Sequence, residues 1–97
     1  MIPNLTPAEI ERLALLMEEM GESIHIIGKI MRHGYGSRHP NGGPTNRELL
    51  EKELGDVRCA TWLMVDARDI DDGAMWTAAE GKRQKVGQYL HHNAVTK

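Results

Sequence analysis

Ile10, Leu13, Met17, Met20, Ile24, Ile27 and Met31 recur in steps of three and four. That spacing belongs to one side of an α-helix and is incompatible with a strand. The seam runs for about six turns, near residues 7 to 32. Thr6-Pro7-Ala8-Glu9 supplies its start: Thr6 caps, Pro7 suits the first helical position, and Glu9 closes a capping box. His33-Gly34-Tyr35-Gly36 ends it, and the stretch from Gly34 to Pro44, with four glycines and two prolines, reads as a loop. A second capping box, Thr45-Asn46-Arg47-Glu48, opens a second helix. Leu50, Leu54, Val57, Thr61 and Met64 carry its seam, and the pattern extends to about Ile70. Asp71-Asp72-Gly73 breaks the chain, with either Asp able to cap the next helix. Residues from about Gly73 to His91 predict one or two weaker helices, because Gly81 and Gly87 each cost about 1 kcal/mol against Ala. A frayed tail is expected after about residue 92.

The expected fold is therefore all-α: two long antiparallel helices plus one or two shorter C-terminal helices, with a loop at about 33–45 and the bundle completed by oligomerisation. With 97 residues, a single domain is expected, and small helical domains often gain stability by associating. The net charge of −2 comes from charges of both signs mixed along the chain, which argues against a nucleic-acid polymer or a membrane surface as partner. No apolar run approaches the length of a membrane span. The N-terminus lacks a basic stretch followed by an apolar one, and Cys59 is the only cysteine. Both features fit a cytoplasmic location. Without Phe, the core must be filled by Leu, Ile and Met, which suits helices.

Two acid pairs interrupt this pattern: Glu19-Met20-Gly21-Glu22, preceded by Glu18, and Glu53-Leu54-Gly55-Asp56. A spacing of three places both carboxylates of a pair on neighbouring turns. With Met20 at zero on the helical wheel, Glu19 falls near −100°, between Ile26 and Ile30, and Glu22 near −160°, at the edge of the apolar sector. With Val57 at zero, Glu53 falls near −40° and Asp56 near −100°, among Leu49, Ala60, Leu63 and Ala67. A carboxylate among aliphatic side chains must be paired, protonated or metal-bound. Basic partners are scarce in these sectors, and Arg12 is the main candidate. Gly21 and Gly55 sit inside the pairs, where a mid-helix glycine invites a local reason such as close helix packing or ligand approach.

In these residues the chain resembles the MazG-like all-α nucleoside triphosphate pyrophosphohydrolases. That family carries ExxE on one helix and ExxD on the next, matched here by Glu19-x-x-Glu22, with Glu18 completing an EExxE form, and by Glu53-x-x-Asp56 within Glu-Leu-Gly-Asp-Val. The resemblance extends over roughly residues 8 to 90, and the motif is its specific part. One departure is the thirty residues between Glu22 and Glu53, slightly more than the family usually shows, which the Gly/Pro-rich loop accounts for. The resemblance implies a single MazG-like domain over 1–97. It implies Mg²⁺, with Mn²⁺ as a substitute, held by Glu19, Glu22, Glu53 and Asp56, with Glu18 a fifth candidate. It implies hydrolysis of a nucleoside triphosphate to monophosphate and pyrophosphate by water attack at the α-phosphorus. The same four acids would be catalytic, Lys82 would bind phosphate, with Arg83 and Lys85 as further candidates, and the chain would act as a homodimer or homotetramer.

Rival readings accompany these. Lys82, Arg83 and Lys85 also fit a solvated basic helix face. Glu22-x-x-His25 reads as ExxH, a di-iron motif, but Cys59 stands three after Asp56 where a second histidine would be needed. Cys59 reads as a partly buried structural thiol, and Trp62 and Trp76 as core or subunit-interface residues. Asn46 is most simply an N-cap. A non-enzymatic helical association module, its acids paired with Arg12, Lys29 or Lys52, is the alternative function; an inactive nucleotide-binding relative is a third.

Overall fold

The computed structural model describes residues 4–92, and the regular elements among them are all helices, without a strand. Helix α1 spans Pro7–His33, α2 spans Asn46–Asp66 and α3 spans Asp72–Lys85, after which comes a single 3-10 turn at Val86–Gln88. The expected frayed tail lies outside the described residues.

Local chemistry sets most of these boundaries. Thr6 accepts a hydrogen bond from the Glu9 amide at 3.1 Å, and the Thr6 amide donates to Glu9 Oε1 at 2.7 Å. Thr45 and Glu48 repeat the reciprocal pair at 3.2 and 2.8 Å. The cap of α2 is therefore Thr45, not Asn46. Asn46 is instead the first helical residue; it is buried, and its amide donates to the Gly34 carbonyl at 3.1 Å, tying the start of α2 to the end of α1. Gly34 leaves α1 with φ +89°, a conformation that L side chains rarely adopt. Asp71 caps α3 by accepting from the Ala74 amide at 2.8 Å. Helix α2 ends four residues before the expected Ile70, because Arg68 turns into the left-handed region at φ +66° and the Asp69 amide returns to the Met64 carbonyl. The 34–45 connection carries one isolated bridge, between Arg38 and Thr45.

Helices α1 and α2 form an antiparallel hairpin, with Arg12 against Asp69 at one end and Gly34 against Asn46 at the other. Their shared interface contains the buried residues Ser23 and Ile26 from α1 and Asn46, Glu53, Ala60 and Met64 from α2. On α1 this contact surface is the sector that carries Glu19. The seam from Ile10 to Met31, in contrast, faces outward, with exposures from 36 % to 83 %. Helix α3 packs mainly on the 3-10 turn beyond its end, and none of its residues is buried. Trp62 and Trp76 are exposed at 58 % and 69 %, so neither belongs to a core within this chain. Cys59 is exposed too, which corrects the expectation of a partly buried thiol.

Candidate metal centre

Because α1 and α2 run antiparallel, the two acid pairs meet across the hairpin. One oxygen from each of Glu19, Glu22 and Glu53 lies within 4.8 Å of the others. Glu53 is buried at 8 % exposure, Glu19 is half-buried and Glu22 is open to solvent. Asp56, the fourth expected acid, is half-buried and shares a groove wall with Glu19, Leu15, Cys59 and Ala60. Glu18 is exposed and stands outside the three-acid group; its charge reaches Glu22 only weakly.

The electrostatics arise from this crowding. Removal from water is the main cause that raises the pKa of Glu19 above the ordinary carboxylate range, with the charges of Asp56 and Glu53 adding to it. Contact with Glu53, across which two carboxyls can share a proton, is the main cause that raises Glu22, with the charge of Glu53 next. Among the described residues, Lys52 answers them. Lys52 Nζ lies 2.9 Å from Asp56 Oδ2 and 3.3 Å from Glu53 Oε1. Hydrogen bonds to Asp56 and then to Glu53 push its own pKa upward. Arg12, the cation expected beside Glu19, is committed elsewhere: its guanidinium grips Asp69 through Nε at 2.6 Å and Nη2 at 3.0 Å.

Two oxygens are left over. With the acids ionised, Glu19 Oε2 and Glu53 Oε2 are buried and, among the described residues, meet other carboxylates but no hydrogen-bond donor. A buried polar atom without a partner carries the full cost of its lost hydration. A hard dication prefers carboxylate oxygens, and a group of three converging acids suits one that keeps several waters. The donor set, all oxygen with neither histidine nor thiol in it, fits Mg²⁺ or Mn²⁺ better than a softer metal.

The basic residues read from the sequence lie apart from this group on α3. Lys82, Arg83 and Lys85 occupy its last turns, all exposed, and Lys82 Nζ sits 5.8 Å from the centre of the Tyr89 ring. Sequence alone placed Lys52 only among the cations of the association module. A stronger signal is its position: four residues before Asp56, it neighbours that acid on a helix. No helix among the described residues is long and apolar enough to cross a membrane. Compared with protein-family models, with curated proteins and with solved structures, the chain matches none.

Proposed function

We propose that the chain is a Mg²⁺-dependent nucleotide pyrophosphohydrolase of the MazG-like kind, cleaving a nucleoside triphosphate to monophosphate and pyrophosphate by water attack at the α-phosphorus. One observation carries the reading: two orphaned, buried carboxylate oxygens, Glu19 Oε2 and Glu53 Oε2, stand within a convergent group of acids. An all-carboxylate cluster of this kind is costly in an apolar hairpin unless a cation offsets it.

Glu19, Glu22 and Glu53 would hold the ion, Asp56 would join them once released from Lys52, and Glu18 would at most steer from outside. When bound, the ion supplies charge neutralisation for the leaving pyrophosphate and orientation of the triphosphate. Glu22 is the one member of the group open to solvent. A water can reach it, so its oxygen not engaged by the ion is assigned as the general base. Lys82, with Arg83 and Lys85, lies apart from the acids within one chain, so these residues are assigned to the phosphates as a neighbouring copy's contribution; lysine supplies a mobile point charge. A cytoplasmic homodimer or homotetramer belongs to this reading.

The test is pyrophosphate release from a panel of nucleoside triphosphates with and without Mg²⁺. The reading expects metal-dependent turnover, reduced at least about 100-fold in Glu53→Gln. Turnover that survives chelation, or that Glu53→Gln leaves intact, overturns it. The Lys52 contacts favour a second reading, a non-enzymatic helical association module in which lysine alone quenches the acids. That module expects no turnover on any nucleotide, and a Glu53→Gln chain as stable as the parent or more so.

A further inference from the structure

From the cavity between the end of α1 and the 34–45 connection we infer a binding site for a phosphate group, separate from the acids. The supporting observations are the walls of that cavity and their charge, and none of them involves the metal.

The charge pattern is already present in the sequence. Between Glu22 and Glu48 the chain has no acid. The same stretch holds Lys29, Arg32, Arg38, Arg47 and three histidines, in a chain whose net charge is −2. The fold gathers part of that excess around one cavity of about 320 Å³. Lys29 and His33 come from the end of α1, Ser37, Arg38 and His39 from the connection, and Asn46 from the first turn of α2. No carboxylate lines it. Its volume, at the lower end of the range for ligand pockets, suits a small molecule.

Helix chemistry explains only part of this. Cations near the end of α1 offset the negative end of its dipole, which accounts for Lys29, Arg32 and His33. Arg38 and His39 lie outside the helix and have no such duty. Among the described residues no acid lies within ion-pair distance of Lys29 or Arg38. Hydrogen bonds from Thr45 are the main cause that lowers the pKa of Glu48, and the charge of Arg38 is the least. Lys29 is half-buried, and an ammonium drawn from water calls for an anion beside it.

The donors are in place before a ligand arrives. Arg38 gives Nη1 to the Gly43 carbonyl at 3.4 Å, which leaves most of its five N–H groups open. His39 Nδ1 accepts from the Asn41 amide at 3.1 Å, so the neutral ring carries its proton on Nε2 as a further donor. Ser37 adds a hydroxyl. Backbone hydrogen bonds hold these walls: the Asn46 amide donates to the Ser37 carbonyl at 2.8 Å, Arg47 to Tyr35 at 3.0 Å and Gly42 to His39 at 2.9 Å. Gly42 and Gly43, at φ +96° and +104°, turn the connection back so that Arg38 meets Thr45 in the isolated bridge. A site ordered in advance leaves less entropy to be lost on binding.

Two permanent cations match the two charges of a phosphate dianion. A guanidinium fork and an ammonium point charge together recognise phosphoryl oxygens, whereas a single carboxylate would leave one cation unanswered. Lys29 is seven residues past Glu22, and Asn46 is seven before Glu53. Two helical turns, about 10 Å, therefore separate the cavity from the acids along the hairpin. A phosphate held here does not touch an ion held there.

Calorimetric titration in chelator, with chloride matching the ionic strength, tests the site. Inorganic phosphate and a nucleoside 5′-monophosphate are the probes. Saturable binding to the parent chain is expected. A tighter monophosphate makes the ligand a nucleotide's phosphoryl group, and equal affinity makes it free phosphate; either supports the site. Arg38→Gln and Lys29→Gln are each expected to weaken phosphate binding at least about tenfold, with the helical circular dichroism unchanged. Glu53→Gln is expected to bind phosphate as the parent does, whatever becomes of its metal affinity, so the two sites fail separately. No saturable binding at millimolar phosphate, or binding that both cavity variants keep, overturns the inference. Binding that Lys82→Gln abolishes and Arg38→Gln spares also overturns it, because the site would then lie on α3. Acetate that competes as well as phosphate overturns the choice of ligand.

Discussion

Arg12 and Asp69, fifty-seven positions apart, form a two-pronged ion pair of 2.6 and 3.0 Å where α1 begins to run along the end of α2. The planar guanidinium matches the carboxylate, which fixes orientation as well as attraction. This pair latches the open end of the hairpin opposite the Gly34–Asn46 contact. It also withdraws from Glu19 the arginine that stands two turns before it. Hydrogen bonding from Arg12 holds the Asp69 carboxyl below its ordinary pKa.

Asp69→Asn is expected to lower the melting temperature at neutral pH, and Arg12→Lys to do nearly the same, because a lysine cannot make the two-pronged contact. The Asp69 contribution has a defined pH window. Its folded pKa is depressed, so the stabilisation is complete above the ordinary aspartate pKa and disappears as pH falls through the folded value. Thermal melts across the acid range check this: the parent should lose more stability on acidification than Asp69→Asn.

The acid cluster has the opposite pH dependence. Glu19 and Glu22 have folded pKa values above the ordinary range. Their protonated forms are favoured in the fold, so the metal-free chain is best served below the ordinary glutamate pKa and loses stability as pH rises through the raised values. Glu22→Gln should remove part of that loss and flatten the profile on the neutral side. Melts in chelator between mildly acidic and neutral pH measure it; a profile identical to the parent would contradict the crowding described.

Lys52 acts as an internal counter-ion for Glu53 and Asp56. In Lys52→Met the metal-free chain should melt lower, while Mn²⁺, which no longer has to displace an ammonium, should bind several-fold more tightly. Calorimetric titration of the two proteins provides the comparison. Weaker metal binding in the variant would instead make Lys52 a support for the site.

Met64 at 5 % exposure and Ala60 at 1 % lie where α1 and α2 meet. Met64→Ala should cost about 2–5 kcal/mol of stability, read by denaturant unfolding. Met17→Ala, on the outward seam at 72 % exposure, should cost far less in a monomeric background.

The termini of the long helices were legible in the sequence because they depend on neighbours in the chain. Thr6 with Glu9, and Thr45 with Glu48, need only a three-residue spacing to satisfy one another. The convergence of Glu19, Glu22 and Glu53 was legible too, since an acid in an apolar sector has few alternatives. Which side of α1 meets α2 was not. Periodicity reveals that a helix has an apolar side but not which neighbour covers it, and here the strongest stripe faces out while the acid-bearing sector faces in. The stop of α2 at Asp66 depends on Arg68 adopting a positive φ, which no glycine or asparagine announces. The diversion of Arg12 to Asp69 depends on where that stop falls.

Titration of Mg²⁺ or Mn²⁺ into the metal-free chain, monitored by calorimetry and by melting temperature, bears most directly on the acid cluster. Saturable binding with a rise in melting temperature is expected in the parent, and a loss of at least about 100-fold in affinity in Glu53→Gln. No binding up to millimolar ion, or equal binding in the two proteins, would contradict the account.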